Sequence, residues 1–100
     1  PVKERDYTAP QIQNVTVSGN KVSLTASDND SIRRILLTAW AADGRGGIAD
    51  ILVLPGETNP TVSTTLDATR PWADPSIPIN EYNIYVVDIS GNMTETKYKL

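Results

Sequence analysis

The 100-residue chain contains no cysteine, no histidine and no phenylalanine. Without cysteine there is neither a disulfide framework nor a thiol nucleophile. Without histidine as well, the usual zinc, haem and copper donor sets, the imidazole general base and the Ser-His triad are excluded. Carboxylates and hydroxyls are left as the reactive inventory, so no catalytic residue is assigned and an enzyme is not expected. Basic residues are few, nine Lys and Arg against twelve Asp and Glu, for a formal charge of −3. Only Arg33-Arg34 form an adjacent basic pair, which is no phosphate-tracking stripe, and nucleic acid is not an expected partner. Long hydrophobic runs are missing too. The longest, Ile35 to Ala42, is interrupted by Thr38 and falls far short of the roughly 20 residues a membrane-spanning helix needs.

What is present fits one domain, since 39% apolar content over this length supports a single core. The opening "PVKERDYTAP" is charged, poor in apolar residues and closed by Pro10, so residues 1–7 read as a linker and 8–100 as the domain. The chain begins at Pro1 with no leader-like apolar segment, and a piece of a longer polypeptide is expected.

Ile12, Val15 and Val17 lead to Gly19-Asn20 and then to Val22, Leu24 and Ala26, which predicts a hairpin with a two-residue loop. In "KVSLTAS" the alternation is strict, so that strand covers a core on one face and meets water on the other. Two periods compete in residues 31–42. Ile32, Ile35, Leu36, Ala39 and Trp40 fall at helical spacing behind a capping Ser31, whereas Ile35, Leu37 and Ala39 alternate as a strand. The strand is preferred because the rest of the chain reads as strands, and the helix stays open. Further β-favoured runs cover Ile48 to Leu54, Val62 to Leu66, Tyr82 to Val87 and the last residues from Met93. Pro71, Pro75 and Pro78 bar "TRPWADPSIPIN" from a central strand and make it an irregular crossing between sheets. The expected architecture is all-β, an immunoglobulin-like β-sandwich of about seven antiparallel strands.

Two stretches carry a family resemblance: "TAPQIQNVTVSGNKVSLTASDNDSI" and "YNIYVVDISGNMTE". They resemble the opening and closing motifs of bacterial immunoglobulin-like or fibronectin type III-like sandwich domains. In the closing hairpin the pattern falls on Tyr82, Ile84, Val86, Asp88, Gly91 and Asn92. The resemblance covers the first and last thirds of the domain. It implies a non-catalytic module of a larger secreted or surface-anchored bacterial protein, in contact with neighbouring domains of the same polypeptide and with a glycan or surface protein as further partner.

In such a topology the second-to-third, fourth-to-fifth and sixth-to-seventh loops share one pole. These loops hold Asp28, Asn29 and Asp30; Glu57 and Asn59; and Asp88, Ser90 and Asn92. Asp28, Asp30, Asp88 and Asn92 are therefore candidate ligands of a structural calcium, which accepts six to eight oxygens. The competing reading has each Asp or Asn shape its own turn by accepting nearby backbone N–H groups, with no cofactor at all. Among the aromatics, Trp72 in the crossing segment with Tyr85 is the candidate sugar-stacking platform. Against it stands a purely packing role, with Trp40 and Tyr82 filling the core and Trp72 sealing its edge. The functional expectation is a spacer or protein-interaction and adhesion unit, extracellular or at the cell surface. The alternative is a carbohydrate-binding accessory module of a polysaccharide-active enzyme.

Overall fold

The computed structural model describes residues 6–56 and 58–100. Seven antiparallel strands follow one another: β1 (Gln11–Ser18), β2 (Lys21–Ser27), β3 (Ile32–Trp40), β4 (Gly46–Val53), β5 (Thr61–Asp67), β6 (Glu81–Asp88) and β7 (Met93–Lys99). They form a three-stranded sheet, β1-β2-β5, and a four-stranded sheet, β4-β3-β6-β7. No helix occurs among the described residues, so the helical period over residues 31–42 is not used. One apolar cluster joins the facing sides of the two sheets: Val22, Leu24 and Ala26 from β2 meet Ile35, Leu37 and Ala39 from β3 and Tyr82, Ile84 and Val86 from β6. The arrangement is compatible with a β-sandwich.

Strand pleating alone does not explain the apolar pattern, because Ile12 to Val15 and Ile32 to Ile35 are odd spacings that would turn alternate residues out of the core. Each is absorbed by a bulge. In β1 the register against β2 shifts between Gln13 and Thr16, where Asn14 takes φ 58°. This left-handed backbone is one that Asn tolerates better than most residues, and it returns Val15 and Val17 to the core side. In β3 the register against β6 shifts between Ile32 and Arg34. Arg33 is the extra residue, so two consecutive arginines face solvent while Ile32 and Ile35 stay buried. The i, i+3 spacing that imitates a helix is thus a bulged strand.

The β1–β2 connection is the expected two-residue loop. Gly19 has φ 59° and Asn20 does not share the positive angle, which is where a type II′ turn places its glycine. The proline-containing segment crosses from β5 to β6 without strand structure and ties itself down. Trp72 Nε1 donates to Ile77 O at 2.9 Å, Arg70 Nη1 donates to Pro75 O at 2.8 Å, and Asp74 accepts from both Ser76 N and Ser76 Oγ.

These connections define two poles. At one, Asn80 N donates to Trp40 O and Leu100 N to Asn80 O, with Ala68 N bonded to Asn20 O on the neighbouring sheet. At the other lie the β2–β3, β4–β5 and β6–β7 loops together with the segment from Asp6 to Pro10. Thr94 Oγ1 donates to Pro10 O there, at the start of β7.

Candidate metal centre

The acidic pole is assembled mainly by backbone N–H groups that bond from loop to loop. Asp28 N donates to Pro60 O, Ile32 N to Asn59 O and Ile89 N to Ser31 O, while Ser31 Oγ accepts from Asn59 N. Three loops distant in sequence are locked side by side, as the shared-pole expectation requires. Glu57, which that expectation included, lies outside the described residues.

Within this frame Asp88 closes the β6–β7 hairpin. Its Oδ1 accepts from Ser90 N at 3.0 Å and Asn92 N at 2.8 Å, its Oδ2 accepts from Asn92 Nδ2 at 2.9 Å, and only 1% of the residue is exposed. The turn-forming role is therefore real: one carboxylate satisfies the donors of a tight loop whose Gly91 has φ 89°. Asp28 acts similarly through Oδ2, which accepts from Asp30 N at 3.0 Å and Ser31 N at 3.1 Å. Its other oxygen, Oδ1, is buried with no hydrogen-bond partner.

Asp6 completes the arrangement, although its position places it in the expected linker. Its Oδ1 accepts from Thr8 N at 2.8 Å and Asn29 Nδ2 at 3.0 Å, and its carbonyl accepts from Asn92 Nδ2 at 2.8 Å. One carboxylate oxygen from each of Asp6, Asp28 and Asp88 lies within 4.8 Å of the other two. Asp30 is not among the three converging carboxylates. Asn92 reaches the cluster through its amide nitrogen, which donates to Asp88 and Asp6. The sequence signal for Asp6 is slight: an Asp two residues before Thr8, in the register of an Asx turn, inside a charged segment.

Three carboxylates at this separation repel one another. Burial raises the pKa of Asp28 above the ordinary value, and the charges of Asp88 and Asp6 push it further the same way, against the lowering effect of the Asp30 and Ser31 N–H groups. Oxygens on opposite sides of a calcium ion, each about 2.4 Å from it, stand about 4.8 Å apart, so the spacing suits such an ion. The partnerless Asp28 Oδ1 and the all-oxygen donor set fit the same cation. Asp6, Asp28 and Asp88 are the residues that can hold it.

The two residues of the candidate sugar platform come from different elements. Tyr85 projects from the middle of β6 on the outward face, between Leu36 of β3 and Glu95 of β7. Trp72 sits half-buried in the crossing segment next to Pro71, which packs against Gly47 near the start of β4. Of the two aromatics expected in the core, Tyr82 is buried there, but Trp40 is not. Trp40 lies half-buried on the outward face across Gly46, where a Cβ would meet its ring at 2.2 Å, and its Nε1 donates to Thr38 Oγ1 at 2.9 Å. Small residues at Ala39 and Ala41 occupy the inward positions beside it. No protein-family model, no curated protein and no solved structure matches the chain significantly.

Proposed function

We propose that this chain is a non-catalytic, immunoglobulin-like β-sandwich module of a larger extracellular bacterial protein, serving as an in-line spacer and interaction unit. The observation that supports this is the placement of Asp6, the first described residue, and of Leu100. Asp6 is bonded into the acidic pole through Asn29 and Asn92, whereas Leu100 is bonded to Asn80 at the opposite pole. A chain that arrives at one pole and leaves at the other transmits direction and tension along its strands. The strand orders agree with a sandwich whose fourth strand joins the sheet of the third, as a C′ strand does, instead of pairing with the fifth. A calcium ion held by Asp6, Asp28 and Asp88 would fasten the arriving segment to the domain and stiffen that junction.

Placing the chain between two folded reporter domains and measuring small-angle scattering tests the reading. The expected result is a separation increased by roughly 35 Å, eight residues of strand plus a turn at each end. Reporters brought next to each other would overturn it. Glycan binding that is lost in Trp72→Ala would replace it with the carbohydrate-binding alternative.

A further inference from the structure

The outer faces of the two sheets differ in chemistry. On the three-stranded sheet the outward pairs are hydroxyls bonded to each other, Ser23 to Thr65 at 2.8 Å and Thr25 to Ser63 at 3.0 Å. This is a surface at ease in water. On the four-stranded sheet, β4 turns Ile48, Ile51 and Val53 outward at 61%, 46% and 57% exposure, and β7 adds Met93 at 56%. A bulge between Leu37 and Thr38 of β3 and the facing residues of β4 puts Ile48 and Ile51 on the same side despite their odd spacing. Three exposed branched apolar side chains along one edge strand of a small domain mark an interaction face.

Two cross-strand ladders occupy the middle of that face: Ile51, Leu36, Tyr85 and Glu95 in one, Ile48, Thr38, Asn83 and Lys97 in the next. A two-fold axis parallel to the sheet, midway between the two facing copies, perpendicular to the strands and between these ladders, exchanges them. Ile51 then covers the partner's Ile48 at one rim, and Glu95 meets the partner's Lys97 at the other, each contact occurring twice. Neither Glu95 nor Lys97 is engaged in an ion pair within the chain, among the described residues. The face is self-complementary in both shape class and charge, which an isologous interface demands. Four strands about 4.8 Å apart and about eight residues long give a footprint of roughly 500 Å² per copy. Two copies reach about 1,000 Å², the lower bound for specific association, and an interface of that size belongs to a weak complex.

We propose that the outer face of the β4-β3-β6-β7 sheet is a docking surface for the same face of a second copy of this chain, packed antiparallel through this axis. Sheets packed in alignment rotate by about 30° against each other, which keeps the paired rims within reach. The interface would set modules side by side, a property separate from the in-line reading.

Sedimentation equilibrium across a concentration series tests the proposal. The expected result is reversible dimerisation in the micromolar range, abolished by Ile51→Lys with little change in melting temperature, because that side chain is 46% exposed and belongs to no part of the buried core. Glu95→Lys and Lys97→Glu each oppose like charges at two symmetric contacts and weaken the dimer roughly tenfold. The double reversal restores it, and an equimolar mixture of the two single variants dimerises although each alone does so poorly. A parent chain monomeric up to about 1 mM, as expected if an unlike protein or another domain covers the face, overturns the proposal. So does a dimer indifferent to both reversals, or a double variant as weak as the singles.

Discussion

Asp28 divides its two oxygens between opposite tasks. Oδ2 shapes the β2–β3 turn, while Oδ1 is buried without a donor in a carboxylate that converges with those of Asp6 and Asp88. Its folded pKa is raised, so the folded state holds the proton more tightly than the unfolded chain. The resulting contribution is fully present below the unfolded value of 3.8 and is lost as pH rises through the folded value. Asp28→Asn keeps an acceptor for the turn and removes the charge. In chelator at pH 7 the variant should melt about 2–5 °C above the parent, with the difference shrinking as pH falls towards 4. Thermal melts over that range check it, and an equal offset at every pH would contradict the linkage. Asp88→Ala should act in the reverse direction, by about 2–4 kcal/mol in chemical denaturation, since it strands the N–H groups of Ser90 and Asn92 in a nearly closed site.

At the scale of strands, the fold was legible wherever spacing was even and ambiguous wherever it was odd. Lys21 to Ser27 and Tyr82 to Val86 could be read directly, because alternation assigns each residue a face. The segment from Ile32 to Trp40 offered a helical period because the bulge at Arg33 inserts one residue between buried isoleucines. Deleting Arg33 would force either Ile32 out of the core or the strand out of register with β6, and an Ile expelled from a site 1% exposed costs about 2–4 kcal/mol. Urea unfolding of the deletion variant measures this, and a loss below about 1 kcal/mol would show that the bulge carries no register information. The pole residues were partly legible for the same reason. Asp28 and Asp88 follow from which loops share an end. Asp6 does not, because nothing in "KERDYT" signals that its carboxylate folds back onto Asn29. Trp40 departs from the expected core position, since the sequence does not reveal that Gly46 opposite it leaves room for an indole on the outer side.

Across the whole molecule, the three carboxylates connect an arriving chain segment to two loops of different sheets, so a cation there would act on global stability. Calcium at about 100 times its dissociation constant should stabilise the folded state by about 2.7 kcal/mol, or roughly 10–20 °C in melting temperature for a domain of this size. Asp6→Asn should reverse the order of the curves, melting slightly above the parent in chelator and well below it in calcium. Identical transitions for the parent with and without saturating calcium would remove the metal centre. Because Trp40 rests on the outer sheet over Gly46, with its indole nitrogen turned to Thr38, the molecule also carries an optical sensor on that surface. In a Trp72→Phe background its emission would report only the dryness of that face. A blue shift with rising concentration would then follow the joining of two copies without any label.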